Sequence, residues 1–132
     1  MRNRLVGLTI LLSLAMGCAG RNVQHSQAYK LPSGKEIRVN SISKMSFPKG
    51  GPALVMNYET DIPIENKEAL RKEVNEIWSV FQKDVEKAQV EGAAIRATHY
   101  EGSGLVRQGK GYGFVYTKGP DGQWRLLEDD KK

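Results

Sequence analysis

Residues 66–92 read NKEALRKEVNEIWSVFQKDVEKAQVEG. Leu70, Val74, Ile77, Trp78, Phe81, Val85 and Ala88 recur at helical intervals and form one apolar stripe. Glu68, Arg71, Lys72, Glu73, Glu76, Lys83, Glu86 and Lys87 fill the rest of the surface, with both signs at i,i+4 spacing, as in Glu68 and Lys72. Asn66 suits the N-cap and Glu68 the first turn. Gly92 can adopt the left-handed conformation that ends a helix. The pattern therefore predicts a helix about 35 Å long. Trp78, midway along the stripe, is its expected core centre. A helix with one apolar stripe must lie on something, and the flanking segments read as strands.

Before the helix, Lys35–Phe47 reads as a strand broken near Ser41, with Ile37 and Val39 alternating with polar residues. Lys49-Gly50-Gly51-Pro52 signals a turn. Ala53–Thr60 reads as a second strand with Leu54, Met56 and Tyr58 on one face. After the helix come Ala93–Glu101, the link Gly102-Ser103-Gly104, an ambiguous stretch from Leu105 to Gln108, and Lys110–Lys118. Gly119-Pro120-Asp121-Gly122 is the clearest hairpin turn, leading into Gln123–Glu128 and a charged tail. The expected fold is α+β, a single long helix on an antiparallel sheet of four to five strands in the order β-β-α-β-β-β.

The segment before the domain has a different composition. Met1-Arg2-Asn3-Arg4 is basic, and Leu5–Met16 is apolar over the length of a secretory h-region. That run is too short to span a bilayer as a permanent helix. It ends in Leu14-Ala15-Met16-Gly17-Cys18. This resembles the lipobox of bacterial lipoprotein precursors, with Ala15 where leucine is preferred. The resemblance implies cleavage after Gly17 and lipid on Cys18. The expected organisation is a signal peptide over 1–17, a lipidated cysteine and flexible tether over 18–31, and a small α+β domain over 32–132. His25 falls in the tether. Ala19 resembles the sorting residue of outer-membrane lipoproteins, which implies the outer membrane, facing the periplasm, if the source has two membranes.

Composition bounds the rest. The 132 residues are enough for one small domain, and 39% hydrophobic with 27% charged residues suits a globular chain. The formal net charge is +5, of which Arg2 and Arg4 contribute two, leaving too weak a bias to argue for nucleic acid. Cys18 is the only cysteine, so neither an intrachain disulfide nor a cysteine zinc cluster can form.

Several motifs touch on chemistry. Lys110-Gly111-Tyr112-Gly113-Phe114-Val115-Tyr116-Thr117 resembles the RNP1 strand of the RNA recognition motif, whose aromatics stack on bases. A tight hairpin follows it where that family needs a second helix, so nucleic acid is not an expected partner. Gly104–Gly111 resembles a P-loop, but Gly111 replaces the hydroxyl residue and the stretch opens a strand. His99 could be a general base beside Asp61 or Glu59. As the domain's only histidine it cannot build a multi-histidine metal site, and no cofactor is expected. Tyr58, His99, Tyr100, Tyr112 and Tyr116 form the candidate binding surface.

The sequence thus leads to a lipid-anchored envelope protein, tethered to the membrane through Cys18, that acts as a non-enzymatic binding or interaction module for an envelope partner. The alternative is a small enzyme or ligand carrier with a pocket between helix and sheet, using His99, Tyr100 and Asp61.

Overall fold

A computed structural model describes residues 27–127 apart from Lys49. The expected signal peptide, Cys18, the expected tether up to residue 26 and the residues from Glu128 lie outside the described residues. Within them are six strands and one helix. The strands are β1 (Gln27–Lys30), β2 (Glu36–Phe47), β3 (Gly51–Glu59), β4 (Gly92–Glu101), β5 (Gln108–Lys118) and β6 (Trp124–Leu127); the helix, α1, is Lys67–Lys87 and follows β3. The helix is not long and apolar enough to cross a membrane.

The strands stand in sequence order, β1 to β6, in one sheet. All neighbours are antiparallel except β3 and β4, which run parallel. The expectation of an antiparallel sheet of four to five strands is therefore corrected to a mixed sheet of six. The cause is the crossover. The 21 residues of α1 rise about 31 Å, close to the roughly 30 Å of the nine-residue β3. The helix thus carries the chain back to the start of β3, where Gly92 pairs with Ala53 and β4 sets off in the same direction.

The extra strand is β1, whose four residues were read as tether. It pairs with β2 from Lys30↔Glu36 to Gln27↔Val39. Three polar contacts strap this hairpin to the helix. Tyr29 donates to Asp84 Oδ2 at 3.1 Å, the Ser33 amide to Glu76 Oε1 at 2.6 Å, and Lys35 Nζ to Glu73. Hydrogen bonding from Ser33 holds the Glu76 carboxyl below the usual carboxylate range.

The N-cap is where the sequence puts it, with Asn66 Oδ1 accepting from the Ala69 amide at 3.3 Å. The C-terminus differs. The helix closes at Lys87 with Ala88 as C-cap, and Gln89, not Gly92, takes the positive φ of 53°. Gly92 is instead the first residue of β4.

Under the helix, Leu70, Val74, Ile77, Phe81 and Val85 pack on Met56, Tyr58, Ile95, Ala97 and Phe114. Trp78 is displaced from the expected centre. It is half-buried and stacks on Tyr116 at 3.9 Å and 3°, edge-on to Phe81 and Trp124. Phe81 takes the central place. The break near Ser41 is a register shift between Val39 and Ser41 that leaves Asn40 as the extra residue. Val39 opposes Tyr58 and Ile42 opposes Met56, so the bulge keeps apolar side chains on the helix side across the shift.

The β5–β6 turn yields a test. Gly122 sits at φ 78° with nothing within 4 Å of an added Cβ, so a side chain there meets strain rather than a clash. Gly122→Val should lower stability by about 1–2 kcal/mol, while Gly122→Asn, which tolerates the left-handed region, should cost less. Thermal unfolding of both variants measures this, and a valine variant as stable as wild type would contradict the turn.

Candidate functional site

The buried polar centre of the domain lies on the helix, at Glu73. It belongs to the face read as solvated, yet it is only 5% exposed. Its position explains this, because residue 73 stands one place from Val74 and within one turn of both Leu70 and Ile77. Spacing was the only signal in the sequence, and the charge concealed it.

A buried carboxylate needs donors. Tyr58 Oη donates to Oε1 at 2.9 Å and Thr60 Oγ1 to the same oxygen at 2.7 Å. Lys35 Nζ donates to Oε2. The Ile62 amide donates to Thr60 Oγ1 at 3.1 Å, and the Thr60 amide to the Thr98 carbonyl at 3.0 Å. The network therefore joins the β1–β2 turn, the end of β3, the helix and β4. A concavity of about 290 Å³ opens beside it, lined among others by Lys35, Arg38, Glu59, Thr60, Asp61 and Glu73.

The candidate surface residues do not share one face. Tyr58 and Tyr116 are buried under the helix, because they have the same strand parity as the core residues Met56 and Phe114. Tyr112 is half-buried on that side, edge-on to Phe114 at 5.1 Å, with Lys67 Nζ 3.4 Å from its ring centroid. Tyr112, Phe114 and Tyr116, the aromatics of the RNP1-like strand, thus face the protein rather than a base. His99 is half-buried, with Nδ1 3.0 Å from the Thr60 carbonyl oxygen. Tyr100 is the exposed member, and as the next residue on the strand it points to the opposite face from His99. The sheet therefore separates the two, and His99, Tyr100 and Asp61 do not converge on one pocket.

Burial raises three tyrosine hydroxyls above their ordinary value of 10. Tyr116 is pushed up to about 12 by burial. Tyr58 is raised by burial and then by the Glu73 charge, and Tyr29 by burial and its bond to Asp84. The fold holds these groups in the protonated form. Their stabilisation is complete below about pH 10 and is lost as the pH climbs through the raised values. Tyrosinate absorbance should thus develop in two stages, the later one coinciding with loss of structure by circular dichroism. Ionisation of all five tyrosines in one step near 10, with the fold intact, would contradict the burial of Tyr58 and Tyr116.

A different group of residues, missed in the sequence, is exposed at the β4–β5 end. Leu105 is fully exposed and Val106 largely so, in a loop whose Gly102 and Gly104 have φ of 103° and 72°. Arg107 lies with its guanidinium carbon 4.8 Å from the Tyr100 ring centroid. Beside them, β6 pairs with Val115–Lys118 of β5. The sequence signal was weak, two apolar residues after a glycine pair.

Compared with protein-family models, curated proteins and solved structures, the chain matches none.

Proposed function

We propose that this chain is a lipid-anchored protein of the bacterial cell envelope whose domain is a non-enzymatic binding module. The lipobox-like run ending at Cys18 supports the anchor, and if the source has two membranes Ala19 supports the outer one, facing the periplasm. The observation that carries the binding reading is the exposure of Tyr100, at the end of β4, and of Leu105 and Val106 in the loop that follows. Exposed loops held by a rigid scaffold are where binding residues concentrate, and apolar side chains there offer a partner area to bury. The partner class is an envelope protein.

The test is site-specific photocrosslinking in native membranes, with the probe at Val106 and, as a control, at the exposed helix residue Lys83. A discrete protein adduct from position 106, absent from position 83 and lost when Leu105 is changed to Ser, is the expected result. No adduct from position 106, or the same adducts from both positions, would overturn the reading.

A further inference from the structure

The helix packs on the side of the sheet that holds Met56, Ile95 and Phe114, so their neighbours in each strand point to the opposite face. On that face Val55 pairs with Ala94, Ala94 with Val115 and Val115 with Leu127. Met45 pairs with Ala53 one step along, and Phe47 lies beyond it. One apolar band therefore crosses five strands, β2 to β6. Met45 and Phe47 at one end are each 47% exposed, and Val115 and Leu127 at the other are 45% and 54% exposed. A sheet face left to solvent ordinarily carries polar side chains, and along this band it does not.

Two arginines flank the band. Arg96 is exposed, follows Ala94 on the same face of β4 and pairs with Gly113. Arg107 lies against the ring of Tyr100, which shares that face with Arg96. Beside them β5 presents only Gly109, Gly111 and Gly113, so the floor next to both arginines is free of side chains. The nearby carboxylates are occupied or stand apart. Glu59 is 3.8 Å from Arg38 and Asp121 is 2.9 Å from Arg125, while Glu36 lies across from Lys30 and Glu91 lies against Gly51 at the turn. Arg96 and Arg107 form no ion pair among the described residues. A band holding phenylalanine and methionine, flanked by arginine and free of lysine and carboxylate, has the composition of an interface centre.

We propose that the sheet face away from the helix docks an acidic partner protein, which sets carboxylates against Arg96 and Arg107 and apolar side chains over the band. The proposal rests on the binding-module reading and extends that surface from Tyr100 across the sheet to Leu127 and Met45. The face spans about 24 Å across β2 to β6 and about 30 Å along the strands, an area of roughly 700 Å², close to the ~800 Å² that one side of a standard interface buries. A second copy would bring the same two arginines to a symmetric contact, and with Glu59 and Asp121 engaged it has few carboxylates to set against them. An acidic partner supplies what both arginines lack, since a guanidinium takes a carboxylate through two parallel hydrogen bonds.

The test places a photocrosslinking residue at Val115 of the full chain in native membranes, beside the probes at Val106 and Lys83. The expected result is one partner adduct shared by positions 115 and 106 and absent from 83, in which the crosslinked partner peptide carries Asp or Glu among apolar residues. Arg96→Glu should lower the adduct at 115 about tenfold, and Arg96→Lys, which keeps the charge, should lower it less. Both variants should keep the circular dichroism of the wild type, because Arg96 is exposed. A partner adduct at 106 with none at 115 overturns the docking and leaves the loop as the binding surface. No adduct at either position removes the binding reading, and the docking with it. An adduct at 115 made of two copies of this chain, or of lipid, assigns the face to another occupant and overturns the proposal. A partner adduct whose yield is unchanged by Arg96→Glu overturns it as well.

Discussion

Glu73→Ala should cost about 3–5 kcal/mol of folding stability, read as a shift of the urea midpoint. The substitution leaves the Tyr58 and Thr60 hydroxyls buried without their acceptor, at about 1–3 kcal/mol each, and creates a void beside them. Two further variants separate the contributions. Glu73→Gln keeps an acceptor for both hydroxyls and should recover part of the loss. Lys35→Met should cost less, about 1–2 kcal/mol, because the lysine side chain is 41% exposed and water can replace it. A loss below about 1 kcal/mol for Glu73→Ala would put the carboxylate in solvent and dissolve the network.

Phe81→Ala should have a comparable effect, about 3–5 kcal/mol, through the cavity left under the helix. Phe81 is fully buried and meets Trp78 edge-on at 6.2 Å. That loss is a large fraction of what a domain of this size has to lose. Trp78→Ala should cost less despite the larger side chain, since Trp78 is only half-buried. Equilibrium unfolding of the two variants under identical conditions gives the order. Trp78 outranking Phe81 would rotate the helix and restore the tryptophan as the core centre.

Much of the fold was legible because its signals are local. Asn66 caps the helix as its side-chain chemistry demands, and Gly119–Gly122 makes the turn its composition announces. Alternation placed Leu54, Met56 and Tyr58 on one face, and the break read near Ser41 falls where a continuous β2 shifts register. The parts that were not legible depend on distant partners. Gln27–Lys30 has little strand character of its own, and its identity comes from β2 and from the bond between Tyr29 and Asp84. The parallel pairing of β3 with β4 follows from how far the helix carries the chain, which residue types do not state.

The candidate site was legible to a lesser degree. Sequence alternation shows that Tyr58 and Tyr116 share a parity with other apolar residues. It does not say which face of the sheet the helix covers, and both hydroxyls are buried beneath it. Glu73 was hidden by its charge. Leu105 and Val106 were hidden by their type, since apolar residues are read first as core, and only their position in a glycine-flanked loop exposes them.

The account stands or falls on the anchor. The most direct measurement is mass spectrometry of the N-terminal peptide of the protein taken from native membranes. The expected mature chain begins at Cys18, with a thioether-linked diacylglycerol on its sulfur and an amide-linked acyl chain on its nitrogen, and it sediments with the membrane. An unmodified Cys18 peptide, or a soluble protein beginning near Ala19, would contradict the account.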